Sequence, residues 1–274
     1  MERFVDVPGG RLFVVAEGDG APVVLLHAGI VDQRSWDGLV PHLIGAGYRA
    51  VRYDARGWGR STTADVVFSN RADLVAVLDA LGVGRAALVG NSRGGQVALD
   101  TAIELPDRVV AVVGVAAGLG GFEGHPTPDE VAVFEEMERL ESAEPKDPEA
   151  VIALDVRVWV DGPGQPAGRA PAWIAEQVRG TNLLLSEPGH VFGRPIVLDP
   201  PAAERLADLR CPVLVVAGLL DVSDVAETAQ HLAAHAPDAR AVLLPDVAHM
   251  IGMERPAELA ALIADFVGPL RPWA

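Results

Sequence analysis

The sequence predicts an α/β fold in which a mostly parallel, doubly wound sheet is flanked by helices and interrupted by one helical insertion. Short apolar runs alternate with amphipathic segments of helix length along most of the chain, as expected for parallel strands buried on both faces. This alternation stops once, between residues 122 and 205, and then resumes. With 274 residues, half of them hydrophobic, the chain is long enough to bury the core of such a domain.

The predicted strands are short runs rich in apolar and β-branched residues, at residues 23–27, 49–53, 86–89, 109–116, 213–217 and 241–244. The predicted helices have an apolar period of three to four residues and end at glycine or Leu-Pro signals, at residues 36–45, 70–81, 95–105, 225–236 and 257–267. Residues 3–7 and 11–16 flank a Pro-Gly-Gly turn, which predicts an antiparallel hairpin at the sheet edge.

The insertion divides the chain into a core of residues 1–121 and 206–274 and an inserted segment of residues 122–205. Helical patterns at residues 129–141, 147–160 and 172–187 account for most of that segment. Ligands bind beyond the carboxyl ends of the strands in open α/β sheets. We therefore expect the inserted segment to form a helical cap over that edge.

The pattern Gly90-Asn91-Ser92-Arg93-Gly94 joins an apolar strand to a helix. This context is typical of a nucleophile elbow, a sharp turn that holds its central residue in a strained conformation and exposes the side chain above the sheet. Flanking glycines tolerate such a turn because they carry no Cβ. Ser92 is therefore the candidate nucleophile, and the alternative is a serine that only caps the helix.

A serine hydroxyl needs a base, and the base needs an acid group that fixes its tautomer. Asp221 follows the strand at 213–217 and His249 follows the strand at 241–244, so both lie at the same sheet edge as Ser92. The chain order serine, aspartate, histidine is that of the α/β-hydrolase triad. Two other carboxylates are alternatives for the acid: Asp224, whose position favours a helix cap, and Glu123, the nearest acid after the strand at 109–116.

Two further motifs complete a resemblance to the α/β-hydrolase superfamily over essentially the full chain. His27-Ala28-Gly29 follows the first buried strand, as the family's His-Gly oxyanion loop does, with Ala28 where glycine is commoner. The segment from Asp54 to Ser61 is similar to the family's D-x-R-G-x-G-x-S turn. The resemblance implies that the backbone NH groups of Gly29 and Arg93 form the oxyanion hole.

Several side chains are candidates for substrate contacts. Trp36, after the oxyanion loop, and Trp159, in the predicted cap, are aromatic residues that could line a pocket. Arg93 directly after the nucleophile is unexpected. Its side chain either binds a substrate carboxylate or pairs with Asp32 or Glu123 to brace the oxyanion loop.

The motifs together predict acyl transfer to water on a small, partly apolar ester or lactone. Relatives in the family use the same core for cofactor-free haloperoxidase or perhydrolase chemistry, for carbon–carbon bond hydrolysis and for removal of N-terminal prolyl residues. These activities remain alternatives, and a non-catalytic ligand receptor is a more remote one. Serine at the elbow argues against the dehalogenase and epoxide hydrolase branches, which the resemblance links to a carboxylate nucleophile.

Charge and composition exclude other classes of function. A net charge of −16 repels phosphate backbones and anionic lipid surfaces, which argues against nucleic-acid and membrane partners. The histidines and the single cysteine lack metal-ligand spacing, and the first strand is not followed by G-x-G-x-x-G, so we expect no metal and no cofactor. The start of the sequence lacks the apolar run of a secretory signal, which predicts a cytoplasmic protein. The sequence leaves open whether the chain forms a homo-oligomer.

Overall fold

A twisted sheet forms the centre of the computed structural model, which describes residues 1–144 and 147–273. Its strands are β1 (Glu2–Val7), β2 (Gly10–Glu17), β3 (Ala21–Leu26), β4 (Tyr48–Tyr53), β5 (Thr62–Thr63), β7 (Ala86–Asn91), β8 (Val109–Val115), β10 (Val213–Gly218) and β11 (Ala239–Leu244). A separate two-stranded parallel sheet pairs β6 (Val67–Phe68) with β9 (Arg194–Pro195). The main sheet has the order β1-β2-β4-β3-β7-β8-β10-β11, and β5 pairs with β2.

The strand directions confirm the predicted fold class. All neighbouring pairs from β4 to β11 are parallel, whereas β1 and β2 form an antiparallel hairpin that joins β4 in antiparallel fashion. Because the central strands run in one direction, their carboxyl ends lie at one edge of the sheet. The loops after β3, β7, β10 and β11 therefore meet there.

The apolar strand sequences fill two cores, one on each face of the sheet. In β3, Val24 and Leu26 belong to one core, and Val23 and Leu25 belong to the other. The same alternation divides β7, where Leu88 and Val89 point to opposite faces and are fully buried. Burial on both faces explains why these strands are continuously hydrophobic.

Helices of the core flank the sheet, further helices belong to the inserted segment, and the last two helices follow the final strand. Their bounds are α1 (Val40–Gly45), α2 (Asn70–Ala80), α3 (Arg93–Glu104), α4 (Pro128–Glu141), α5 (Pro148–Asp155), α6 (Ala172–Leu185), α7 (Ser223–His235), α8 (Ile251–Glu254) and α9 (Pro256–Val267). No helix in the described ranges is long and apolar enough to cross a membrane.

The first helix is shorter than the sequence predicts. A 3₁₀ turn, Gln33–Trp36, ends at the first residue of the predicted span of 36–45, and α1 begins only at Val40. Pro41 is the second residue of α1, where its missing NH needs no partner. A longer helix would place proline in its interior and break a backbone hydrogen bond there, so α1 begins at Val40.

In the described part of the inserted segment, α4 packs on α5 and α5 packs on α6. Helix α4 begins with a capping box, in which the side chains of Thr127 and Glu130 each accept a hydrogen bond from the other residue's backbone NH. The predicted helix at 147–160 changes form within its length. Helix α5 ends at Asp155 and continues as a wider π-helical turn, Val156–Asp161, which ends at Gly162 with a positive φ of 96°.

Candidate active site

Ser92 lies at a strained strand-to-helix turn, between the last residue of β7 and the first residue of α3. Its φ of 53° and ψ of −116° are unusual for a residue with a Cβ. The flanking glycines allow the turn, because a Cβ on Gly90 would lie 2.2 Å from the Gly94 carbonyl oxygen and one on Gly94 would lie 2.2 Å from the Leu26 carbonyl oxygen. The backbone can approach this closely on both sides of the turn only because these two residues are glycines.

Gly94→Ala is therefore expected to lower the free energy of unfolding by more than about 4 kcal/mol, because the new methyl group meets rigid backbone. Gly180→Ala is the matched control. Gly180 lies inside α6, and a Cβ there meets nothing within 4 Å. This substitution is expected to raise stability by up to about 1 kcal/mol. Urea unfolding of both variants measures the difference, and equal stability of the two would contradict the steric account.

Asp221 and His249 form a buried pair at the same sheet edge. Asp221 follows β10 and His249 lies in the loop after β11. The distance from His249 Nδ1 to Asp221 Oδ2 is 2.7 Å, and the Val222 NH donates to Asp221 Oδ1 at 2.8 Å. A carboxylate accepts hydrogen bonds, so Nδ1 carries the proton and Nε2 is the nitrogen left to act as a base.

The two alternative acids lie elsewhere. Asp224 is in the first turn of α7, where its carboxylate accepts a hydrogen bond from the Gly124 NH at 2.8 Å. Glu123 is an exposed loop residue. The structure thus pairs His249 with Asp221, the acid that the sequence favours.

Asn91 is a positioning residue that the sequence analysis did not identify. Its side-chain amide donates to the carbonyl oxygens of Val115 at 3.1 Å and of His249 at 3.3 Å. It therefore ties the residue before Ser92 to the loop that holds His249. Asn91 occupies a position of the elbow motif where any residue is allowed. Its partner His249 is 158 residues away, so no local sequence pattern indicates the contact.

Ser92 and His249 line one cavity of about 390 Å³ beneath the inserted segment. The ring centroids of Trp159 and His249 lie 4.8 Å apart. The cavity also contains the backbone of the oxyanion loop and several side chains of the inserted helices: Ala28, Gly29, Ile30, Met137, Glu141, Val151 and Asn182. The structure brings Ser92, His249, Gly29, Arg93 and Trp159 to the same cavity.

His27 holds the oxyanion loop against the turn that follows β4. Its Nδ1 donates to the Ala28 carbonyl oxygen at 2.7 Å, and its Nε2 accepts from the Ala55 NH at 3.0 Å. Trp58 donates from Nε1 to the Gly29 carbonyl oxygen at 2.7 Å. Burial, with a smaller contribution from the positive charge of Arg93, lowers the pKa of His27 to about 4, so the ring is neutral at pH 7.

Stability is expected to fall in acid because of His27. The unfolded chain protonates this ring near its ordinary pKa of 6.5, whereas the folded chain resists protonation until about pH 4. The unfolded state binds more protons in that window, so the contribution of His27 falls by about 3 kcal/mol as the pH drops from 6.5 to 4. Urea unfolding across this range measures it. His27→Gln should remove this part of the pH slope and the exposed control His42→Gln should keep it; the same slope in both variants would refute the assignment.

The turn that carries Trp58 is fixed by Asp54 and by a buried ion pair. Asp54 accepts from the backbone NH groups of Gln33 at 3.0 Å and Arg60 at 2.8 Å. Arg56 makes two hydrogen bonds to Asp73, at 2.6 and 2.8 Å. These contacts explain why the D-x-R-G-x-G-x-S segment accompanies the oxyanion loop, since they hold Trp58 beside it.

Two sequence-based expectations are corrected. Trp36 does not line the cavity: it is 1% exposed, belongs to the core on one face of the sheet and packs against Gly252. The Arg93 side chain does not brace the oxyanion loop through Asp32 or Glu123. Asp32 is paired with Arg34 at 2.6 Å, and the Arg93 guanidinium lies 4.3 Å from the centroid of the Trp58 ring.

The parallel sheet, the serine elbow and the aspartate–histidine pair at its edge define a class of α/β enzymes. A family model described as the alpha/beta hydrolase family matches residues 23–262. The chain belongs to this family and is a hydrolase.

Comparisons with known proteins find relatives with different substrates. Rhodomycin D methylesterase of Streptomyces peucetius is 28% identical, and the match covers 89% of each chain. Epoxide hydrolase B of Mycobacterium tuberculosis is 29% identical over 99% of each chain. A solved structure, Est816, described as an N-acyl homoserine lactone degrading enzyme, is 26% identical with a TM-score of 0.72, and the match covers 97% of this chain and all of that one.

Proposed function

We propose that the protein is a serine hydrolase that cleaves a small carboxylic ester or lactone through an acyl-enzyme on Ser92. The observation that carries the proposal is that Ser92 and His249 line one cavity while Asp221 holds Nδ1 of His249. A base oriented in this way is what a serine needs to become a nucleophile. Similarity to a methylesterase and to a lactone-degrading enzyme supports the same reaction class.

In the proposed reaction, Ser92 Oγ attacks the substrate carbonyl as His249 Nε2 takes its proton. The imidazolium that forms is stabilised by the Asp221 carboxylate. His249 then donates the proton to the leaving alcohol oxygen, and water, activated by the same base, hydrolyses the acyl-enzyme. Backbone NH groups of Gly29 and Arg93 would bind the oxyanion, and loss of such a donor costs about 3 to 4 kcal/mol of transition-state stabilisation.

We further propose that residues 122–205 act as the cap that shapes the substrate pocket. Met137 and Trp159, on inserted helices, line the cavity together with Ser92. Asp155 and Glu141 line it as well and outnumber the cation Arg93, so the pocket favours uncharged or cationic substrates over carboxylate-bearing ones. Burial raises the pKa of Asp155 to about 6, with the nearby Glu141 charge adding to the effect.

The related epoxide hydrolase raises a second reaction class. Serine at the elbow favours attack on a carbonyl, because the resulting acyl-enzyme can be hydrolysed by the same base, whereas an alkyl ether formed on serine by epoxide opening cannot. Ser92 therefore favours esters and lactones for this chain.

A panel of substrates tests the proposed function. Neutral p-nitrophenyl esters of two to eight carbons, N-acyl homoserine lactones and styrene oxide would be assayed with the purified chain, together with a p-nitrophenyl ester that carries a free carboxylate. We expect turnover of neutral esters or lactones, slower turnover of the anionic ester and none of the epoxide. Epoxide opening without ester cleavage, or perhydrolysis that exceeds plain hydrolysis when peroxide and acetate are supplied, would contradict the proposal.

A further inference from the structure

A second cavity of about 260 Å³ lies on the other side of Arg93 from the catalytic one. Among the residues that the structure describes, Arg93 is the one that lines both cavities. The second cavity is bounded on one side by α3 and on another by the segment that contains β9. Most of its wall is apolar and includes Phe68, Val97, Phe192 and Ile196.

Two of the three charged residues that line this cavity, Arg93 and Asp100, lie at opposite ends of one helix face, and the third, Arg71, lies on α2. Arg93, Gln96, Val97 and Asp100 all line it, at the spacing i, i+3, i+4 and i+7 that places residues on a single face. Seven residues of α-helix extend about 10 Å. The cavity thus has Arg93 at one end and Asp100, with Arg71 beside it, at the other, and apolar side chains lie between the two ends.

The Arg93 guanidinium lacks a counter-ion within residues 1–144 and 147–273. Arg93 Nε is buried and has no hydrogen-bond partner among the described residues. The face of the guanidinium stacks on the Trp58 ring. Burial lowers the pKa of Arg93 to about 10, an effect opposed by Tyr53, so the group stays charged at neutral pH. The buried Nε has lost its contact with water, and a carboxylate that reaches the guanidinium would supply the missing hydrogen bond.

Asp100 is also incompletely satisfied. The residue is 5% exposed, its Oδ1 is buried without a partner in the described part of the chain, and its Oδ2 lies 3.9 Å from Arg71 Nη1. Arg71 also lines the cavity here, but it is already paired with Glu104 at 2.7 Å, so the three groups together carry a net negative charge and would repel an anion. The cavity is therefore polar at both ends but accepts a negative charge only at the Arg93 end.

We propose that this second cavity is a binding site for a small monocarboxylate with an apolar body. The carboxylate binds the Arg93 guanidinium and the body packs on Val97, Phe192 and Ile196. The cavity is smaller than pockets for drug-sized ligands, which measure roughly 300–1,000 Å³, so an acid of the size of phenylacetate suits it. The site is separate from the proposed hydrolysis and does not depend on it.

Calorimetric titration of the full chain with three probes tests the site. Phenylacetate carries one charge, phenylacetamide carries none, and 4-carboxyphenylacetate places a second carboxylate at the Asp100 end. We expect saturable binding of phenylacetate with a Kd of about 1 mM or lower, and binding of the other two weaker by at least about tenfold. Absence of phenylacetate binding up to about 20 mM, or equal binding of the amide, would overturn the proposal.

Variants that fill one cavity at a time locate the binding. Of these two cavities, Val97 lines only the second and Val151 only the catalytic one. Val97→Phe is expected to weaken phenylacetate binding by about tenfold or more, and its matched control Val151→Phe is expected to leave it unchanged. Ile196→Asp, at a residue 48% exposed and so tolerant of substitution, should weaken binding similarly by repulsion if Val97→Phe does not fold. Loss of binding in Val151→Phe alone would overturn the proposal by placing phenylacetate in the catalytic cavity.

Discussion

Ser92→Ala is expected to lower kcat on the best ester of the panel by on the order of 10⁵- to 10⁶-fold while the protein stays folded. The substitution removes only the hydroxyl group, and the acyl-enzyme cannot form without it. The elbow should persist, because alanine keeps the Cβ that already occupies the strained position with φ of 53°. Steady-state kinetics and thermal unfolding of the same preparation measure the two effects.

Ser142→Ala is the control for this experiment. Ser142 is an exposed serine at the end of α4, outside the catalytic cavity. Its replacement should leave kcat within about twofold of the original value. A purified Ser92→Ala protein with more than a hundredth of the original activity would show that another group is the nucleophile.

Asp221→Asn should lower kcat by about 10⁴-fold. The carboxylate accepts the proton of His249 Nδ1 at 2.7 Å. An amide can donate to that nitrogen instead, which favours the tautomer whose Nε2 is protonated and cannot act as a base. The amide also leaves the imidazolium without its counter-ion, so both effects slow the transfer of the serine proton.

Asp224→Asn is the matched control, because it makes the same chemical change three residues further along the chain. Asp224 binds the Gly124 NH rather than His249. We expect its kcat to change by less than about threefold. Kinetics of the two variants side by side decide between the acids, and a larger loss in Asp224→Asn would reverse the assignment.

The fold class and the elbow were predictable from sequence because each leaves a local pattern. Strands buried on both faces must be apolar throughout, as Leu88 and Val89 are in β7. Gly90 and Gly94 must be glycines, because backbone carbonyl oxygens approach their Cα atoms closely. The pairing of Asp221 with His249 could be inferred from chain order, since parallel strands bring their carboxyl ends to one edge.

Other features depend on contacts between distant parts of the chain. Trp36 and Trp159 are both tryptophans near predicted ligand-binding loops, yet one packs in the core and the other against His249. The sequence alone does not show that the side chain of Trp36, at the end of a 3₁₀ turn, points into the core. The Arg93 side chain stacks on Trp58, 35 positions earlier, and a cation over a ring leaves no periodic signal.

The short strands β6 and β9 were missed for a related reason. Each has two residues, Val67–Phe68 and Arg194–Pro195, and a two-residue strand has no alternation to detect. Their pairing nevertheless attaches the end of the inserted segment beside α2 and forms one wall of the second cavity.

Covalent labelling of the active serine tests the central claim most directly. The full chain would be incubated with a fluorophosphonate ester, digested and analysed by mass spectrometry. We expect one stoichiometric adduct on the peptide that contains Ser92, slower labelling in Asp221→Asn and no labelling in Ser92→Ala. An adduct on a different residue, or an unlabelled protein that still cleaves esters, would contradict the account.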